Sequence, residues 1–267
     1  MNTIHQLYKP IQPTVKSPTS NVIYREFVPH LHLQPFICCY WELLTTTPLP
    51  SPFIYRVVAD GCIDIYFEMN NPALSWVMGF YRKYTEFRLA NQFHYFGIRF
   101  LPAMFPQMFK VDAAQLSNRF ESLDVVVPEI ARFLATGISI NDSSQLCIEL
   151  DKIFIRQIQS TTINFDNRLY NAIDIMLKKS GVIRMEQELS TGISSRQLRR
   201  LFEYYIGDTP KTFCKIVRFQ NILRAKPSTQ SLRENKLFFD AGYYDQAHFI
   251  KDFKNFYGVT PSKAFGR

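Results

Sequence analysis

The chain has 267 residues, 46% of them hydrophobic, with 10 Gly, 15 Pro and a formal net charge of +8. That length suits one or two domains, each burying its own core, and the ordinary Gly and Pro levels exclude collagenous and low-complexity classes. Residues 1–159 hold 13 Lys/Arg and 13 Asp/Glu, whereas residues 160–267 hold 18 and 10, so all the excess positive charge lies in the C-terminal part and points to a polyanionic partner there.

Residues 1–20 are rich in Pro, Ser and Thr and read as a loose arm without the apolar core of a signal peptide. The stretch FVPHLHLQPFICCYW is too short and too broken by Pro to span a membrane, so neither a membrane partner nor a location outside the cytoplasm is expected. Cys38, Cys39, Cys62, Cys147 and Cys214 are odd in number, unpatterned and set in apolar surroundings. They read as reduced core thiols, with no CxxC metal or redox site.

From Val22 the chain is strand-like: NVIYREF, LQPFICCYWEL, then FIYRVVADGCIDIYFEM, which is two β-rich runs around the turn dipeptide Asp60-Gly61. Ile63, Ile65 and Phe67 alternate with Cys62, Asp64 and Tyr66, as on a sheet with unequal faces. SWVMGFYRKYTEFRLANQFHYFGIRF supplies at least two more strands, with Gly79 and Gly97 as bulges or close approaches. The expected fold is a small antiparallel β barrel or roll. After Pro102 the pattern turns helical in PAMFPQMFKVDAAQLSNRF and in VVVPEIARFLATG. In residues 143–158 Leu146, Leu150, Ile153, Phe154 and Ile158 form a stripe that Ile148 and Ile155 broaden, which suits packing on the β domain or a homodimer contact.

The chemical signals in this half are weak. His30-x-His32 with Glu26 lacks a third metal ligand at a characteristic interval, and Asp60, Asp64 and Glu68 share a face only if one strand runs unbroken through the turn. No GxSxG, HExxH or phosphate-cradling Gly loop is present, so no enzyme, metal or cofactor is expected. An aromatic-lined roll can hold a small-molecule effector. Trp41, Tyr66, Trp76, Phe80 and Phe96 are candidates for its lining, with plain core packing the competing reading of each.

The C-terminal part contains a repeat. Leu198, Phe202, Gly207, Thr209 and Pro210 recur 51 residues later as Phe249, Phe253, Gly258, Thr260 and Pro261. Each copy reads as a short helix, a Gly-containing turn, a longer helix and a Thr-Pro restart. A helix at DNRLYNAIDIMLKKSG precedes them. In the first copy MEQEL is the short helix and Ser194 caps SRQLRRLFEYY; Arg196, Arg199 and Arg200 lie opposite its apolar face, where Arg forks clamp phosphate or read guanine. Thr209-Pro210 starts a connecting helix whose first N–H groups and Lys211 can hold a phosphate, and whose apolar side includes one odd member, Gln220. In the second copy KLFFDAG is the short helix and Asp245 caps QAHFIKDFKNFYG. Its outward face is Gln246, Ala247, Ile250 and Lys251, flanked by His248 and Lys254. Two helix-turn-helix units at this spacing suit two neighbouring major-groove segments of double-stranded DNA.

At these residues the chain resembles the arabinose-regulator (AraC/XylS) family of bacterial transcription regulators, in GISSRQLRRLFEYYIGDTPKTF and AGYYDQAHFIKDFKNFYGVTPSKAF. The resemblance implies a seven-helix DNA-binding domain at 161–267, with motifs at about 183–204 and 236–257, and RNA polymerase as a further partner. Carried over by matching residue, the reading positions are Arg196, Arg199, Arg200, Gln246, Ala247, His248, Ile250 and Lys251; Ser194, Ser195, Thr209, Lys211, Asp245 and Lys254 complete the candidate DNA-contacting set. LQPFICCYWEL, RVVADGCIDIYF and FGIRFLPAMF resemble an uncharacterised sensory-type domain over roughly residues 22–135, implying a cupin-like β roll with following helices; residues 1–160 are then expected to be an effector-sensing or dimerisation domain. The family usually has a small Ala where Phe238 stands, which questions how the second motif docks. A protein-binding adaptor without its own DNA site is the alternative function.

Overall fold

The structure, a computed structural model, describes residues 4–13, 21–137, 142–184, 188–189, 192–225 and 242–265. Its N-terminal part is built on eight strands: β1 (Val22–Phe27), β2 (Ile37–Thr45), β3 (Phe53–Val57), β4 (Ile63–Glu68), β5 (Asn71–Met78), β6 (Thr85–Leu89), β7 (His94–Phe100) and β8 (Phe120–Ser122). Six form an antiparallel sheet in the order β1-β2-β7-β4-β5-β8, and β3 pairs with β6 as a separate ribbon.

The alternation of side chains across the sheet decides what packs where. Phe96, Ile98 and Phe100 of β7 stand in register with Phe67, Ile65 and Ile63 of β4, and all six are buried in the larger core with the helices. The other face carries Trp41, Leu43 and Met78, which pack with Tyr55 and Val57 of the ribbon in a second, smaller core. The antiparallel roll followed by helices is therefore present, but Asp60-Gly61 does not close a hairpin. β3 leaves the sheet to cover its second face, and residues 58–62 cross from the ribbon to β4.

The segment after β7 is more broken than its composition suggests. It forms α2 (Met104–Phe109), a single 3-10 turn at Ala113–Leu116 and then β8. Lys110 at φ 58° ends α2, and Asp112 caps the next turn by accepting from the Ala114 amide. Next come α3 (Leu123–Val126), α4 (Pro128–Gly137), α5 (Ser143–Ser160) and α6 (Asn167–Lys178). Helix α5 buries Leu146, Cys147, Leu150 and Phe154. It is tied to the sheet by the Phe154–Phe100 ring contact at 5.8 Å and by Tyr40 donating to Asp151 at 2.8 Å. Packing on the β domain therefore occupies its main stripe, and Ile148 is its exposed apolar residue.

Residues 4–13 are not a loose arm. Ile4–Leu7 form α1, and Ile4, Tyr8 and Gln12 are buried. Gln12 donates to the Val58 carbonyl at 3.0 Å and to Asp60 at 2.8 Å, and accepts from the Val58 amide at 3.0 Å. The polar composition that reads as a loose arm here supplies side chains to a buried seam.

The C-terminal helices are α7 (Ser195–Ile206), α8 (Pro210–Ala225), α9 (Gln246–Tyr257) and α10 (Pro261–Phe265). Helix α8 is the central one, burying Phe213, Ile216, Val217 and Phe219 in the same core as the β sheet. Gln220 accepts from the Ile11 amide at 2.8 Å and donates to the Ala59 carbonyl at 2.8 Å, which explains the polar residue in the apolar stripe. The two short helices expected at MEQEL and KLFFDAG lie, apart from Glu188, Leu189 and Gly242, outside the described residues, and so does Phe238. Among the described residues no helix is long and apolar enough to cross a membrane.

Candidate functional site

Helices α7 and α9 are the same device twice. Each has twelve residues. Ser194 caps α7 by accepting from the Gln197 amide, and Gln197 closes a capping box back onto Ser194. Asp245 caps α9 by accepting from the His248 amide at 2.7 Å. Gly207 and Gly258 end the two helices at φ 98° and 97°, a left-handed geometry that side chains with a Cβ adopt at a cost. Thr209 then accepts from the Thr212 amide at 3.2 Å to start α8.

These caps sort the sequence-derived positions by what their atoms are already doing. Ser194, Thr209 and Asp245 spend their side-chain oxygens on helix ends. Ser195, Arg196, Arg199, Arg200 and Lys211 are exposed around α7 and the start of α8. Gln246, Ala247, Lys251 and Lys254 are exposed on α9, with His248 and Ile250 half-buried. Arg199 is not a bare cation: its Nε donates to Glu203 Oε1 at 2.8 Å, one turn along the helix. His248 packs edge-on against Tyr243 at 5.3 Å and lies 3.4 Å from Asp252, which Lys215 of α8 also approaches at 3.3 Å. Tyr244, ahead of the Asp245 cap, is 86% exposed. A large exposed aromatic just ahead of the cap of a repeated helix is a signal that sequence reading passed over; Tyr hydroxyls donate readily to phosphate.

The opposite ends of both helices are held by the β domain. The Ala59 amide donates to the Phe256 carbonyl at 3.2 Å and the Tyr84 amide to the Asn255 carbonyl at 3.1 Å. Ser117 donates to the Gly207 carbonyl, and Arg82 pairs with Asp208. A Cβ on Gly258 would come within 2.9 Å of Arg56 and 3.0 Å of Tyr84.

Between the six-stranded sheet and the β3–β6 ribbon lies a cavity of about 240 Å³. Trp41, Tyr66 and Trp76 form one row across its floor, since Trp41 and Tyr66 both face Gly97, and Tyr66 faces Trp76. Their rings stack at 6.4 Å and 5.4 Å. The row exists because β7 has no side chain at Gly97: a Cβ there would sit 2.1 Å from the Trp41 indole. Tyr55, Phe87 and Leu89 of the ribbon close the other side. Phe80 and Phe96, expected in the lining, are instead in the larger core. Phe96 is one residue out of phase with Tyr95 and Gly97, so the strand pleat turns it away from the cavity.

The polar end of the cavity was not foreseen. Arg99, 1% exposed, donates from Nε and Nη2 to Asp64 at 3.3 and 3.0 Å, and its Nε lies 3.4 Å from Asp60. Trp41 donates its indole N–H to Asp64 at 2.9 Å. Burial and the nearby Asp60 push the Asp64 carboxyl up, against the pull of Arg99, to about 6. Asp60 and Asp64 do converge, although β4 begins only at Ile63, because the long Arg99 side chain reaches both. The cue was the Arg inside the otherwise apolar run FGIRF, which must find a carboxylate to be buried. The His32 amide donates to His30 Nδ1 at 3.3 Å, and the His30 amide donates to Asp151 at 3.1 Å. No group of three or more His, Cys, Asp or Glu among the described residues could hold a metal ion. Burial pushes the Cys147 and Cys214 thiols up to about 12, which makes them poor nucleophiles.

Residues 25–122 match the model of a domain of unknown function, DUF6597, and residues 190–267 match that of a helix-turn-helix domain. An uncharacterized HTH-type transcriptional regulator of Haemophilus influenzae is 37% identical over 102 residues, which are 37% of this chain and 33% of that protein. The chain thus spans about a third of the length of that relative. Among solved structures, ToxT from Vibrio cholerae aligns over 92% of this chain and 95% of its own, at 13% identity and a TM-score of 0.39. ToxT of the same species bound to an unsaturated fatty acid aligns over 92% and 93%, at 11% identity and a TM-score of 0.39.

Proposed function

We propose that the chain is a sequence-specific, double-stranded DNA-binding transcription regulator whose β domain senses a small molecule, since residues 190–267 match a helix-turn-helix domain and their motifs resemble the arabinose-regulator type. The observation that carries the reading is the pair of twelve-residue helices with matched caps at Ser194 and Asp245, each presenting its first turns to solvent. In this reading Arg196, Arg199 and Arg200 grip one major-groove segment. Gln246, Ala247, Ile250 and Lys251 read the next one, where a Gln side chain suits an adenine edge and Ile250 or Ala247 a thymine methyl. Ser195, Lys211, Lys254 and Tyr244 hold phosphates, and the caps act through their helix N-termini. Residues 1–160 form the sensing unit and residues 161–267 the DNA-binding unit of a cytoplasmic regulator, which meets RNA polymerase at its promoters.

The sensing role is supported by the closeness of cavity and reading helices. The ribbon over the cavity runs on into residues 56–59 and 82–84, which hold the end of α9. A ligand that orders the ribbon changes how firmly that end is held, and this is the differential contact a switch requires. Footprinting the full chain on the DNA upstream of its own gene is the test. Two adjacent protected major-groove segments are expected; an unprotected region, with binding only to a protein from cell extract, would favour the adaptor reading instead.

A further inference from the structure

We propose that the cavity between the sheet and the β3–β6 ribbon binds a neutral, planar aromatic molecule carrying one hydrogen-bond acceptor, to which Arg99 Nη1 donates. The inference rests on the sensing role given to the β domain and adds the chemical class of what is sensed. Three features of the cavity select that class. Its volume of about 240 Å³ exceeds the roughly 150 Å³ that suffices for benzene in an apolar protein cavity, so a two-ring molecule fits. Its floor is the stacked row Trp41, Tyr66 and Trp76, with interplanar angles of 29° and 26°. Rings laid in a row select a flat partner over a branched aliphatic one.

The third feature is polar. Arg99 lines the cavity, and its Nε and Nη2 are spent on Asp64. Its Nη1 is buried and has no hydrogen-bond partner among the described residues. A buried guanidinium nitrogen without a partner, on a side chain that lines the cavity, calls for an acceptor. The acceptor is uncharged because the single positive charge of Arg99 already faces two carboxylates, Asp64 at 3.0 Å and Asp60 at 3.4 Å. A carboxylate ligand would bring a third negative group to Arg99 in a desolvated place, since Arg88, the other cation of the lining, is exposed. A cationic ammonium offers the Arg99 N–H no acceptor. An aromatic ketone, lactone or amide satisfies all three constraints.

The protein contains only two tryptophans, and both line this cavity, so intrinsic fluorescence reports on it specifically. Full-length protein is titrated with indanone, with indane and with indane carboxylate, and binding is read by tryptophan fluorescence and by thermal shift. Indanone is expected to bind about tenfold more tightly than indane, and the carboxylate more weakly than indanone. Equal affinity for indane and indanone, tighter binding of the carboxylate, or no fluorescence response to any of the three overturns the proposal. Arg99→Lys keeps the charge but loses the fork, and is expected to erase the preference for indanone over indane. Because that variant can fold poorly, the three-ligand comparison on the unaltered protein stands as the deciding measurement. DNA affinity is measured in the same titration: ligand discrimination without any change in DNA binding supports the ligand class and rejects the sensing role.

Discussion

Arg82 and Asp208 form an ion pair between the loop that follows β5 and the residue after the Gly207 stop of helix α7. Asp208 is 2% exposed. The carbonyl of the same Arg82 accepts from Asn255 Nδ2 at 3.2 Å, near the end of helix α9. One residue of the β domain thus touches the chain at the C-terminal ends of both repeated helices. The two repeated helices are held against the β domain by their tails, which leaves their first turns in solvent.

Arg82→Ala removes the outer half of this pair and leaves a buried carboxylate whose remaining bond is to the Thr209 amide. Because the Arg82 side chain is largely exposed, the global cost is expected to be modest, about 1 kcal/mol. The local effect should be larger: faster amide hydrogen exchange at residues 205–213 and 254–258. Unchanged exchange at both tails would mean that the pair is ornamental.

Gln220 joins three segments, bonding Ile11 and the Ala59 carbonyl from the middle of α8. Replacing it with Leu satisfies the apolar stripe but strands a buried amide and a carbonyl. Urea unfolding should reveal a loss of about 2–3 kcal/mol. A neutral or stabilising outcome would show that the N-terminal segment rearranges without cost.

Gly97→Ala places a methyl where the Trp41 indole lies. Backbone and indole cannot both stay, so a destabilisation of about 1–3 kcal/mol is expected, together with a shift in tryptophan emission as the ring leaves the floor. An unchanged emission spectrum would contradict the stacked row.

On the DNA face, Glu203 opposes the purpose proposed for Arg199. Glu203→Gln releases Arg199 and removes one negative charge beside the phosphates, so affinity should rise for all sequences alike. Arg200→Ala should cost about 1–3 kcal/mol of binding, and a phosphate role would lower the salt slope by about one unit. Titrations at several salt concentrations separate the two roles; an Arg200→Ala variant with unaltered affinity would remove this helix from the interface.

Acid titration tests the buried cluster. The Asp64 carboxyl, held at about 6 by burial, keeps its proton more tightly folded than unfolded, where about 3.9 applies. Its contribution to stability is therefore fully present below about pH 4 and lost as pH rises through about 6. Other carboxylates run the opposite way, Glu42 among them, whose desolvation is outweighed by bonds from His94 and Ser143 that lower it. The difference between wild type and Asp64→Asn isolates the effect: the wild type should lose stability relative to the variant between pH 4 and 6. Parallel profiles would place Asp64 in contact with water.

Local chemistry is what the sequence alone determined. The caps at Ser194 and Asp245, the stops at Gly207 and Gly258, the Thr209 restart and the strand alternation of 63–67 depend on near neighbours in the chain, and each is legible from residue type and spacing. Tertiary structure decided whatever depended on a partner far away in sequence. Pleat phase on β7 sent Phe96 to the core and left Gly97 under the indole. Arg99 gathered Asp60 and Asp64, which strand spacing had separated. Gln12 and Gln220, polar residues without local purpose and about two hundred residues apart, found the neighbouring carbonyls of Val58 and Ala59. A buried donor shows in the sequence only that it needs an acceptor; which acceptor it finds is settled when the sheet, the ribbon and the helices close on one another.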